Sequence, residues 1–367
     1  MPDPRLSKMA QVMVRYSVAV KPGDKVFVQG SELAAPLLRE VLRETLRAGG
    51  HPDVHANVPG AMEVFFKEAS EEQLKHISPL QELVVGTYDC FINVMAPHNV
   101  KELSGVDPGR QAAHSRAMAP INTTFMRRAA DGELRWVLTQ YPTQAAAQEA
   151  SMSLAEYEEF VFSACRLDDP DPVAVWQRVH EEQEHLIEKL SQLSEIRIVA
   201  ADTDLTLSVA GRRWENADGK ANFPDGEVFT GPVEDSAQGR IRFSFPGVYG
   251  GKEIEDIRLE FRDGKVVEAR AAKGEDLLHA LLDSDEGARY LGELGIGTNF
   301  QIQRFTREML FDEKIGGTVH LAVGAGYPET GSTNQSGVHW DMLCDMRQGG
   351  EIYGDGKLVY REGRFLF

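Results

Sequence analysis

Hydrophobic positions change their period near the middle of the chain, and the change divides it into two kinds of structure. In the first half, Lys25-Val26-Phe27-Val28 is a short apolar run, Leu33 to Arg47 repeats leucine and valine at helical spacing, and Gly49-Gly50 supplies a stop. The segment Asp24 to Val58 therefore predicts strand, helix, strand: a βαβ unit. An acidic helical stretch around Ala69 to Lys75 leads to a second apolar strand pattern, Cys90-Phe91-Ile92-Asn93-Val94-Met95, which predicts an open α/β layer domain. No GxGxxG or phosphate loop follows either strand.

From Pro172 to Leu193, the residues Val175, Trp176, Val179, Leu186, Leu190 and Leu193 recur at three- and four-residue steps, which predicts a long amphipathic helix. A domain boundary is placed near its end, giving an N-terminal α/β domain over 1–194 and a C-terminal domain over 195–367. Beyond the boundary the period becomes two. Leu205, Leu207 and Val209 alternate with polar residues, and Ile257, Leu259 and Phe261 lead through Asp263-Gly264 into Val266-Val267, a hairpin signature. The second half is predicted as sheet-rich α+β, with one helical interval around Glu275 to Leu291.

Composition narrows this picture without redirecting it. A chain of 367 residues is long for one core and has no Pro-, Gly- or Ser-rich linker, so two packed domains are expected. Hydrophobic residues at 42% and charged residues at 26% match soluble globular averages. The first twenty residues lack the unbroken apolar core of a signal peptide, and no stretch reaches the roughly 18 apolar residues of a membrane-spanning helix. A cytoplasmic protein without a membrane partner is expected. Cys90, Cys165 and Cys344 are few and scattered, which suits reduced core thiols. A net charge of −18 and the lack of any Lys/Arg cluster argue against a nucleic-acid partner.

The candidate chemistry lies in the second half. In His339-Trp340-Asp341-Met342-Leu343-Cys344-Asp345-Met346, an extended chain points His339 and Asp341 to one face and Trp340, Met342, Cys344 and Met346 to the other. His-x-Asp on a strand can deliver an imidazole and a carboxylate to one cation, although a satisfied surface pair has the same pattern. In Gly317 to Gly324, Val319, Leu321 and Val323 form an apolar face, while His320 shares the other with Thr318, Ala322 and Gly324. Small neighbours leave room for an ion; a hydrogen-bonded core histidine is the alternative. Glu227 follows the turn Pro224-Asp225-Gly226, and Glu293 sits in Gly292-Glu293-Leu294-Gly295-Ile296-Gly297. Both are expected on irregular, glycine-rich backbone, which positions functional groups but also carries plain solvated glutamates. His180 and His185 resemble a zinc-protease helix pair, but five residues separate them by roughly 140° around a helix axis, so they are read as its solvated face.

Together, Asn222-Phe223-Pro224-Asp225-Gly226-Glu227-Val228, Leu291 to Asn299, Asp312-Glu313-Lys314-Ile315-Gly316-Gly317-Thr318-Val319-His320 and Val338-His339-Trp340-Asp341 resemble the aminopeptidase T and aminopeptidase S family of metallopeptidases. The resemblance implies two divalent cations, zinc, cobalt or manganese, held by Glu227, Glu293, His320, His339 and Asp341. It also implies a catalytic tyrosine, matched by Tyr327, and a homodimer acting on peptides. Glu293 is left as bridging ligand, proton acceptor or both, and Glu313 as an extra ligand or an outer acid. Two cations about 3.5–4 Å apart activate water and polarise a scissile carbonyl, and a tyrosine hydroxyl suits the developing oxyanion. Two alternatives stay open. One is a two-metal phosphoesterase, for which Arg304 and Arg307 are the nearest phosphate partners; the other is a metal-stabilised binding protein without turnover.

Overall fold

The structure is a computed structural model that describes residues 3–367; Met1 and Pro2, which open the N-terminal segment considered above, lie outside the described residues. The chain forms two compact units. The first comprises the chain up to Gln177 together with Gly219–Pro224, and the second comprises Arg178–Asp218 and Asp225–Phe367. The division thus falls inside the long helix rather than after it, and a six-residue return of the chain belongs with the first unit.

The first unit is built on a parallel sheet. Its strands β1 (Lys25–Ser31), β2 (His51–Asn57), β3 (Cys90–Met95) and β4 (Arg135–Gln140) lie in the order β2-β1-β3-β4, and the short strand Asn222–Phe223 pairs beside β4. Parallel neighbours need crossovers, and the helix Ala35–Arg47 supplies the first, burying Leu37, Leu38 and Val41. The predicted βαβ unit is therefore present, except that Glu32–Ala34 makes a 3₁₀ turn that Ser31 caps. The acidic stretch contributes a single helical turn, Glu71–Leu74, closed by a Ser70–Gln73 capping box.

The second unit holds an eight-stranded antiparallel sheet and a five-stranded antiparallel sheet. The five-stranded sheet contains β5 (Glu215–Ala217), β6 (Glu227–Thr230), β7 (Leu291–Gly297), β8 (Thr318–Gly324) and β9 (His339–Asp345), in the order β9-β8-β7-β6-β5. One core joins the sheets. Ile196, Ile198, Leu205, Leu207, Leu259 and Phe261 from the larger sheet cluster with Val228, Leu294, Ile296, Val319, Leu321, Val323, Trp340 and Met342 from the smaller one. Strand alternation then forces the intervening residues of the smaller sheet onto its opposite face. The α/β reading of the first half and the sheet-rich reading of the second both describe the molecule.

Two elements differ from expectation. The helix beginning at Pro172 ends at Leu190, three residues before Leu193. The interval from Glu275 is helical only to Leu282, and Leu291 opens a strand. Between them Asp285 accepts from the backbone N–H groups of Gly287 and Ala288, a local turn that competes with helix continuation. The Asp263-Gly264 hairpin forms as read, with φ of 49° and 77° at its two turn residues. Among the described residues no helix is long and apolar enough to cross a membrane.

Candidate metal centre

The non-core face of the five-stranded sheet gathers the titratable groups. β8 and β9 pair so that Ala322 lies opposite Asp341 and Gly324 opposite His339. With Trp340, Met342 and Cys344 committed to the core, His339 and Asp341 face away from it, and His320 does the same on β8. Glu227 is the first residue of β6, not a loop residue, and Glu293 lies within β7, a strand whose every residue is buried. Expectation placed both on irregular, glycine-rich backbone, and at Glu293 a bulge within the strand supplies that irregularity. Leu291 pairs with Val323 and Glu293 with Ala322, so Gly292 is an extra residue on its strand. Without that extra residue Leu291 and Glu293 would share the core face; with it Leu291 stays in the core and Glu293 turns out.

All five candidate ligands come together, with Glu313 beside them. Ligand atoms of Glu227, Glu293 and His320 lie within 4.8 Å of one another, as do those of Glu293, His339 and Asp341, and those of Glu313, His320 and Asp341. Glu293 joins the first two groups through different oxygens. Its Oε1 is 3.4 Å from His320 Nε2 and its Oε2 is 3.3 Å from His339 Nε2. Glu227 Oε2 is 3.1 Å from His320 Nε2, and Asp341 Oδ2 is 3.5 Å from His339 Nε2. The remaining ring nitrogen of His339, Nδ1, is 2.7 Å from the Ala325 carbonyl oxygen. Donation there fixes the tautomer that leaves Nε2 a lone pair, the usual support of a ligating histidine.

The residues fit a cation on three counts. Buried Glu227 Oε2, Asp341 Oδ1 and both His320 ring nitrogens have no hydrogen-bond partner, although such groups normally find one. A Cβ at Gly295, opposite His320 in the register, would lie 2.0 Å from its Nε2, so only glycine admits the ring in its place. The donor set of imidazole nitrogens and carboxylate oxygens also suits divalent transition metals.

Electrostatics point the same way. Burial alone would strip the proton from His320, but Glu227 and Glu293 outweigh it and hold the imidazole well above its ordinary range. His339 is pushed up to about 11 against its own burial by Asp341 and Glu293. Carboxylates that favour positive charge on a ring nitrogen also favour a divalent ion beside it. Burial pushes Glu313 up to about 8, with Lys314 pulling the other way. Tyr327 is raised by burial and then by Glu293 and Asp341, so it stays a neutral donor. It enters the 3₁₀ turn Pro328–Thr330, and its ring stands edge-on to His339 with centroids 5.0 Å apart. His339, with 26% of its side chain exposed against none of His320, marks the open side of the cluster.

Two participants escaped the sequence reading. Lys314 is fully buried, with Nζ 2.7 Å from Glu227 Oε1, 3.6 Å from Asp225 Oδ1 and in contact with Glu313 Oε1. Gln183, between His180 and His185 on the same helix, is also buried. Its Nε2 donates to the Ala217 and Glu227 carbonyls, and its Oε1 accepts from Thr298 Oγ1. Its burial between two charged stretches was the kind of polar position periodicity overlooks. His180 instead meets Asp218 at 2.6 Å, and His185 is exposed beside Glu188. Of the two candidate phosphate partners, Arg307 is engaged with Glu253. The three cysteines are buried thiols, as expected.

A buried sheet face that collects carboxylate and imidazole ligand atoms within 4.8 Å of one another is the kind of site that metal-dependent enzymes use. The model of the thermophilic metalloprotease family (M29) matches residues 2–365, and the chain belongs to that family of metallopeptidases. It is 28% identical to aminopeptidase 2 of Geobacillus stearothermophilus over 410 aligned positions, covering 100% of this chain and 98% of that protein. It is also 28% identical to aminopeptidase T of Thermus thermophilus, covering 98% of each. The solved structure of wild-type AmpT from Thermus thermophilus has the same fold, with a TM-score of 0.86, 24% identity and 99% of each chain covered.

Proposed function

We propose that this metallopeptidase is an aminopeptidase that removes N-terminal residues from peptides, working with two divalent cations. The observation that carries the two-cation reading is Glu293, whose two oxygens face two different histidines as a bridging carboxylate would. Glu227 and His320 would complete one position, and His339 and Asp341 the other. The names of the relatives support a peptide substrate.

When bound, such a pair lowers the pKa of water and polarises the scissile carbonyl. The remaining work falls to side chains. Tyr327 donates its hydroxyl proton as a hydrogen bond to the carbonyl oxygen as negative charge develops there. With both Glu293 oxygens directed at the histidines, Glu293 serves as ligand, and Glu313, half-buried beside His320 and Asp341, exchanges the proton between water and leaving amine. The phosphoesterase reading loses support, because the cation placed against the carboxylates is Lys314, whose ammonium is committed to them.

In this reading catalysis lies in the domain read as 195–367, the metals are zinc, cobalt or manganese, and the protein is a cytoplasmic homodimer; the homodimer rests on resemblance. The test is release of free amino acid from a dipeptide amide by protein stripped with chelator and reloaded with Zn²⁺, Co²⁺ or Mn²⁺, beside a generic phosphate ester. Metal-dependent release abolished by Glu293→Gln is expected. Cleavage of the ester alone, or no release with any of the three ions, would overturn the proposal.

A further inference from the structure

Lys314 is an unusual residue to find without solvent. A lysine at 0% exposure must be compensated by anions, and the ones it meets are drawn from three places in the chain. Glu227 opens β6, Asp225 lies in the turn before it, and Glu313 is its own neighbour after the short helix Met309–Asp312. Glu227 offers its two oxygens differently: Oε1 accepts from Lys314 Nζ at 2.7 Å, while Oε2 has no hydrogen-bond partner and lies 3.1 Å from His320 Nε2. Glu313 Oε1 also accepts from Lys314, and the Glu313 carboxylate belongs to the group that contains His320 and Asp341.

We propose that Lys314 is a positioning residue: a fixed internal cation that grips Glu227 Oε1 and Glu313 Oε1, aiming Glu227 Oε2 at the metal centre and holding the Glu313 carboxylate beside it. The inference rests on the metal-centre reading above. It follows that Glu227 ligates through Oε2 alone. A single ammonium also sets both carboxylates before any ion arrives, so the entropy of orienting them is not charged to metal binding. Outer partners of this kind typically contribute 10–100-fold in metal affinity. A methionine at 314 has nearly the same length and keeps the packing, but leaves Glu227 without its partner.

The test is calorimetric titration of the chelator-stripped full chain with Zn²⁺, comparing wild type, Lys314→Met and Lys314→Gln, with thermal unfolding of each metal-free protein. Both variants are expected to bind at least one of two ions tenfold or more weakly, the position served by His339 and Asp341 surviving. Wild-type stoichiometry and affinity in a folded variant, with only the unfolding temperature lowered, would make Lys314 merely structural and overturn the proposal. If neither variant folds, a crystal structure of the zinc-loaded wild type decides: Lys314 Nζ still on Glu227 Oε1 supports it, and bidentate Glu227 with Lys314 displaced overturns it. A wild type that binds no ion would instead defeat the metal-centre reading on which the proposal stands.

Discussion

Gly295→Ala adds one methyl group at the point where β7 passes the His320 ring. The new carbon would stand 2.0 Å from His320 Nε2 and 2.2 Å from its Cε1. Unbonded heavy atoms rest at about 3.5 Å or more, so the ring must retreat by roughly 1.5 Å or the strands must part. Neither is easy, because His320 is fully buried and Val319 and Leu321 on either side of it are core residues. Overpacking of this kind costs about 1–3 kcal/mol. For a unit of this size that amounts to a fall of a few degrees in unfolding temperature. The effect on metal is sharper, since ligand distances tolerate only about 0.2 Å. A His320 displaced by more than an ångström no longer ligates. Titration of the stripped protein with Zn²⁺ should therefore show one high-affinity ion lost, and amino-acid release should fall with it. Gly105→Ala is the control, because nothing lies within 4 Å of a Cβ there. Unaltered zinc affinity in folded Gly295→Ala would refute the assignment of His320 as a ligand.

Tyr327→Phe removes the hydroxyl while leaving the ring against His339, so metal content should be unchanged and kcat should fall about 10²–10³-fold; full kcat would exclude the oxyanion role. Asp312→Asn probes stability against pH. Burial pushes this carboxyl up to about 8, so the folded state keeps a proton that the unfolded state releases near pH 4. Its contribution is fully present below the unfolded value and is lost as pH rises through the folded one. Asparagine stays neutral and retains the oxygen that accepts from Thr306 N at 2.7 Å and Thr306 Oγ1 at 2.8 Å. The variant should match wild type near pH 4 and gain on it at up to about 1.4 kcal/mol per pH unit towards pH 8. Urea unfolding at several pH values measures the gap, and parallel stability curves would contradict the buried-acid description.

The histidines and Asp341 were legible because a strand with one apolar face leaves only one place for the others. His339 and Asp341 are two apart on β9, and His320 sits among small residues on β8, so alternation alone put them on a shared face. Glu293 was not legible in this way. Period-two reading assigns it to the side of Leu291, and only the bulge at Gly292 reverses it. A two-residue strand such as Asn222–Phe223 has no period to detect, which is why the return of the chain to the first unit went unforeseen. Lys314 was hidden for a different reason. Beside Glu313 it resembles a surface ion pair, and its burial depends on Glu227, 87 positions away.

The most direct test of the central claim, a metal centre built from Glu227, Glu293, His320, His339 and Asp341, is a titration of stripped protein with Co²⁺ that follows bound ion and released amino acid together. Two ions per chain are expected, with release from a dipeptide amide reaching its plateau as the binding sites fill. A plateau of release without bound ion, or full release from a Glu293→Gln chain, would contradict it.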